Sequence, residues 1–99
     1  MIVIRNTFRL KFGKAREAVA LLKEAVALQK RLGMGFPTRI LTDVTGAFYT
    51  VVLELTAPSL SAYEAESPRY MSDKKFQANY KKFVPLVESG SREIFQVVE

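Results

Sequence analysis

Ile2-Val3-Ile4-Arg5-Asn6-Thr7-Phe8-Arg9-Leu10-Lys11-Phe12 alternates with a period of two. Ile2, Ile4, Phe8, Leu10 and Phe12 fall on one face, where Asn6 is the only polar member. Val3, Arg5, Thr7, Arg9 and Lys11 fall on the other. Successive side chains of an extended chain point to opposite sides, so the pattern predicts a long strand with one face buried.

Gly13 ends that pattern and the spacing changes. Ala15, Ala18, Val19, Leu22, Ala25, Val26 and Gln29 recur at helical intervals, which predicts an amphipathic helix over 14–32. Gly33 is its C-cap, just past Lys30 and Arg31, whose charges suit a helix C-terminus. A second strand is predicted over 36–44, and Pro37, which has no N–H, favours an edge position. Asp43-Val44-Thr45-Gly46 has the composition of a hairpin turn. A third strand is predicted over 47–56. Ala47, Tyr49, Val51, Leu53 and Leu55 share one of its faces; Phe48, Thr50, Val52, Glu54 and Thr56 share the other.

Pro58 suits the first position of a helix capped by Thr56 or Ala57, and Pro68 is expected to stop that helix near Ser67. Ser72 is placed to cap a further helix from Asp73, with Phe76, Tyr80, Phe83 and Val87 as its apolar stripe and a kink or early end at Pro85. Gly90 closes this segment. Ser91–Val98 alternates again, with Ile94, Gln96 and Val98 against Glu93, Phe95 and Val97. The order is β-α-β-β-α-β in one domain over 1–99. Right-handed crossovers then give an α+β, ferredoxin-like fold, an antiparallel four-stranded sheet with the helices on one face.

The 99 residues include no Cys, no His and no Trp. Disulfides, thiolate nucleophiles, imidazole bases and the usual zinc and haem ligands are therefore absent from the chain. No metal and no cofactor are expected. The net charge is +5, and residues 14–31 and 69–82 carry +3 and +4, so the excess sits on helices and forms no basic tail. No leader pattern opens the sequence and no apolar run approaches the roughly 18 residues that span a bilayer. A cytoplasmic protein without membrane contact is the expectation.

The sheet face away from the helices would carry Val3, Arg5, Thr7, Arg9, Phe48, Thr50, Val52 and Glu54. RNA-recognition motifs share this element order and stack bases on sheet aromatics. Here Val3 sits where a stacking ring is expected, and the aromatics of Gly46-Ala47-Phe48-Tyr49-Thr50-Val51 are out of register with the second RNA motif. A second copy of the sheet suits this face better than nucleic acid, so a homodimer is the expected partner. Arg5 and Glu54 are placed to pair across adjacent strands there.

The chain resembles the dimeric α+β-barrel superfamily, and within it the NIPSNAP-type proteins. The resemblance is carried by Phe12-Gly13-Lys14, by Leu60-Ser61-Ala62-Tyr63-Glu64, and by Phe76 with Phe83-Val84-Pro85-Leu86-Val87-Glu88-Ser89-Gly90 running into Arg92-Glu93-Ile94. It implies two sheets packed back to back across a twofold axis. The superfamily also includes cofactor-free quinone-forming monooxygenases and haem-degrading monooxygenases. The haem-degrading members carry an Asn at a similar place on the first strand, which transfers to Asn6. They also use a His and a Trp that this chain lacks.

Asn6 interrupts a core-facing row, and a buried amide left without partners costs about 1–3 kcal/mol. Either it is bonded to backbone near the broken second helix, or it orients a ligand between sheet and helices. Tyr63 and Tyr70 flank Pro68, and Tyr49 faces the same side of the sheet. Aromatic walls with a few hydroxyls suit an apolar ligand. Asn6 and Tyr70 are accordingly the candidate catalytic residues, with Tyr49, Tyr63 and Arg39 as candidate substrate contacts; Tyr80 is expected in the core. Three functions follow: a pocket for a small apolar or aromatic molecule, with cofactor-free oxygenation as its chemistry if it is an enzyme; a dimerisation module without an active site; and an RNA-binding domain.

Overall fold

The structure, a computed structural model, describes residues 1–99. Its elements are β1 (Ile2–Leu10), α1 (Ala15–Arg31), β2 (Thr38–Thr42), β3 (Thr50–Ala57), α2 (Leu60–Met71), α3 (Lys74–Phe83), a 3-10 turn (Val84–Leu86) and β4 (Val87–Gln96). The strands form one antiparallel sheet in the order β2-β3-β1-β4. This is the α+β, ferredoxin-like arrangement read from the sequence. β2 lies at an edge and pairs only with β3, as Pro37 favours. The molecule is a slab of 36 × 35 × 17 Å, one sheet under one layer of helices. No helix is long and apolar enough to cross a membrane.

The alternation of β1 sets the core. Ile2, Ile4, Asn6 and Leu10 are buried on the helix side, while Val3, Arg5 and Thr7 are only half-buried on the open side. α1 buries Ala18, Leu22, Ala25, Leu28 and Gln29 against the sheet and α3. Gly33 takes φ +92 just past the helix, where a left-handed residue is needed to turn the chain out.

Several boundaries differ from the sequence expectation. Phe12 is 73% exposed, because β1 ends at Leu10, and its ring leans edge-on against Tyr49 instead of entering the core. The tight turn at Asp43-Val44-Thr45-Gly46 is a wider loop over 43–49. Asp43 and Thr50 close its neck: Asp43 N–H donates to the Thr50 carbonyl at 3.2 Å, and Thr50 N–H donates to Asp43 Oδ1 at 2.9 Å. Tyr49 therefore leaves the strand and sits at φ +59.

Ser59, and neither Thr56 nor Ala57, caps α2 by accepting from Ala62 N–H at 3.1 Å. Pro68 lies inside α2 instead of stopping it. A proline breaks only the bond to the carbonyl four residues back, and this one falls near the end of the helix. Ser72 Oγ then donates to the Pro68 carbonyl at 2.9 Å and closes α2, leaving Asp73 to cap α3 by accepting from Phe76 N–H at 2.9 Å. On α3, Asn79 and Phe83 are buried and Tyr80 is 57% exposed, so the buried stripe keeps Phe83 and takes Asn79 in place of Tyr80. Pro85 ends α3 in the 3-10 turn.

Gly90 does not close the helical segment; it sits within β4 opposite Phe8. A Cβ there would lie 3.2 Å from Phe8 Cδ1. The glycine leaves room for the Phe8 ring to meet Phe83 edge-on, with ring centres 5.1 Å apart.

Candidate functional site

Strand register brings Ile40, Leu53, Asn6 and Arg92 into one row across all four strands. The row splits the core in two. One side holds Leu10, Ala18, Leu22, Val51, Phe83 and Leu86. The other holds Ile2, Ile4, Leu55, Ala57 and Tyr63. Above the row α2 stands off the sheet. Its buried residues are Tyr63 and Tyr70, two turns apart, with Ser67 between them. A crevice of about 360 Å³ opens in this gap, lined by Asn6, Phe8, Leu53, Gln29, Tyr63, Ser67, Tyr70, Phe76, Asn79 and Arg92 among others.

Asn6 is 8% exposed, and its partner is a side chain: Arg92 Nε donates to Asn6 Oδ1 at 2.6 Å. Of the two readings of Asn6, the one with a backbone partner is not what the fold builds. An arginine can only donate, so the amide oxygen must face it and Nδ2, a donor, is turned away. The Arg92 guanidinium lies 5.9 Å from the Tyr63 ring centre, within cation–π range. Ser67 Oγ and Tyr70 Oη are 3.4 Å apart, and the Tyr70 ring packs on Phe76 with centres 4.9 Å apart. Asn79 is pinned to α1 by donating to the Leu21 carbonyl at 2.9 Å. Burial pushes the Tyr63 phenol above its ordinary 10.0, with Arg92 opposing, so at neutral pH it is a neutral hydroxyl.

Asn6, Tyr63 and Tyr70 thus meet in one crevice. Tyr49 and Arg39 lie elsewhere. Tyr49 borders a separate, more open groove of about 650 Å³ with Ala15, Arg16, Val19, Lys23 and Phe48. Arg39 is on the open side of the sheet, where it and Arg5 flank Glu54 in register. Arg5 donates to Glu54 Oε2 from Nε at 3.1 Å and from Nη2 at 3.0 Å, and Arg39 Nη2 donates to Oε1. Those two guanidiniums, Arg39 first, hold the Glu54 carboxyl below its ordinary 4.5. Tyr80, expected in the core, stands at the crevice mouth.

Arg92 and Gln29 escaped the sequence reading as site residues. The signal for Arg92 was present: two residues before Ile94, it belongs to the helix-facing set of that strand.

No protein-family model matches the chain, and no curated protein matches its sequence. Its fold does match solved structures. A NIPSNAP domain protein from Burkholderia xenovorans superposes with a TM-score of 0.86 at 21% identity, covering 99% of this chain and 95% of that one. A NIPSNAP family protein from Agrobacterium tumefaciens gives 0.84 at 22%, covering 96% and 90%. SnoaB, a cofactor-independent oxygenase from Streptomyces nogalater, gives 0.74 at 14%, covering 99% and 93%. The chain has the fold of these NIPSNAP proteins and of SnoaB.

Proposed function

We propose that this chain binds a small apolar or aromatic molecule in the crevice between sheet and helices, one per subunit of a homodimer. The observation that carries this is Asn6: a buried amide in the middle of a core row, held by a side chain from β4 and aimed into a crevice walled by tyrosines. A core Asn with only a structural task needs no space beside it. The crevice, about 360 Å³, is at the small end of ligand pockets, which run from about 300 to 1,000 Å³. One or two fused rings fit.

If the bound molecule is turned over, the chemistry of the SnoaB neighbour, cofactor-independent oxygenation, is the first to test. An activated methylene of the substrate loses a proton, and the carbanion reduces dioxygen and bonds to it. The hydroperoxide then loses water and leaves a carbonyl. Arg92, Asn6 Nδ2 and a neutral tyrosine hydroxyl are placed to stabilise the substrate's negative charge, and preorganised donors are where such catalysis gains most.

The dimer rests on the open face. Half-buried Val3 and Val52, with Leu41 and Phe95, surround the register row Arg39–Glu54–Arg5–Glu93. A slab whose sheet is covered by helices on one side and bears this mixed face on the other suits a second copy across a twofold axis. That surface is independent of the crevice, so it also supports the second reading, a dimerisation module without turnover.

Thermal-shift screening of phenols and quinones against the wild type and Asn6→Ala separates the two. Stabilisation of the wild type that is lost in a folded Asn6→Ala supports the pocket. No stabilisation by any compound, with Asn6→Ala merely less stable, leaves the dimer module.

A further inference from the structure

We infer that the crevice takes an anionic ligand, a small aromatic carboxylate, with its charge on the free guanidinium donors of Arg92. This rests on the small-molecule reading and narrows it.

The ion pairs of the fold are Arg5–Glu54, Arg39–Glu54 and Arg69–Glu66, and Arg92 is in none of them. Its Nε is committed to Asn6, which leaves the two Nη groups without a carboxylate. Among the sixteen residues lining the crevice none is acidic, and Arg92 is the one with a formal charge. Two of the remaining polar groups add donors beside it, while Asn79, whose Nδ2 is spent on the Leu21 carbonyl, keeps its oxygen. Asn6 presents Nδ2 because its oxygen faces Arg92, and Tyr63 keeps its proton. The walls are otherwise apolar, eleven of the sixteen residues. A lone cation beside donors and aromatic walls, with no internal counter-ion, is complementary to a flat acid. Arginine holds a carboxylate through two parallel N–H donors, the geometry its planar fork favours. The Nε–Asn6 bond fixes the plane of that fork, so Asn6 is a positioning residue for the anion as well as a donor.

The test is an NMR titration of the full chain with 2-naphthoate and its neutral counterpart 2-naphthamide, for wild type, Arg92→Gln and Arg92→Lys. The expected result is naphthoate binding with shifts confined to the amides of Asn6, Tyr63, Tyr70 and neighbours of Arg92. Naphthoate should bind at least about tenfold tighter than the amide, the equivalent of one good charged contact. Arg92→Gln should remove that preference, bringing acid and amide to equal affinity. Arg92→Lys, which keeps the charge and loses the fork, should fall between. Equal binding of acid and amide, unchanged in Arg92→Gln, overturns the anion assignment and leaves the aromatic pocket standing. Absence of crevice shifts with either compound overturns both.

Discussion

Removing the Asn6 side chain tests the site and the fold together. In Asn6→Ala the 2.6 Å bond from Arg92 Nε is lost. A hydrogen bond to a charged group contributes about 1.5–3 kcal/mol when both partners are dry. Asn6 is 8% exposed, but Arg92 is exposed enough for water to take over its Nε, which places the expected loss near the lower end, about 1–2 kcal/mol. No large cavity penalty adds to this, because the deleted amide borders a crevice that water can enter. For a domain of this size about 1 kcal/mol moves Tm by roughly 4–8 °C, so the melting point should fall by about 4–16 °C. The assay is chemical denaturation of wild type, Asn6→Ala, Arg92→Met and the double variant at one fixed protomer concentration, since a dimer's stability depends on concentration. The cycle should show a coupling of about 1 kcal/mol. If the two single losses simply add, within about 0.3 kcal/mol, the Arg92–Asn6 bond does not form in solution and the account of the crevice fails with it.

Gly90→Ala should cost about 1–3 kcal/mol in denaturant unfolding, because its Cβ would stand 3.2 Å from Phe8 Cδ1 and push that ring off Phe83; an unchanged midpoint would contradict the packing. Glu54 adds acid sensitivity. Its folded pKa lies below the ordinary 4.5, so its contribution is complete above that value and is lost as the pH falls through the lower folded one. Thermal unfolding of wild type should steepen in pH dependence below about 4.5, and Glu54→Gln should remove that component while lowering stability at pH 7. Val52→Asp, on the open sheet face, should weaken the dimer by roughly 2 kcal/mol or more, about thirtyfold in Kd, read by sedimentation equilibrium. A wild type that stays monomeric at micromolar concentration would remove the dimer altogether.

Where a pattern is written in every residue, it was legible in the sequence. The alternation of Ile2, Ile4, Asn6, Phe8 and Leu10 and the helical spacing of Ala18, Leu22 and Ala25 gave β1, α1 and the faces they bury. The Arg5–Glu54 pair followed from the same alternation. What was not legible depended on groups that act across the fold. Alternation continued through Ala47–Tyr49, yet Asp43 captures Thr50 and turns those residues into loop. Pro68 reads as a stop, but its cost depends on how much helix follows it. Gly90 reads as a terminator, and its reason for being there is a phenylalanine ring from another strand. In the site, Asn6, Tyr63 and Tyr70 could be found because each is conspicuous where it stands. Tyr49 and Arg39 shared their chemistry without their location. Arg92 falls on the helix-facing set of its strand by alternation, but only the β1–β4 register shows that it stands opposite Asn6.

A crystal structure of the protein purified without added ligand decides between an open crevice and a closed one. The expected structure is a twofold dimer through the open sheet faces. Its crevice should be open or hold ring-shaped density beside Arg92, with Asn6 Oδ1 bonded to that guanidinium. A crevice closed by Tyr63 and Tyr70 packed on Leu53, with Arg92 swung out to solvent and Asn6 bonded to backbone, would contradict it.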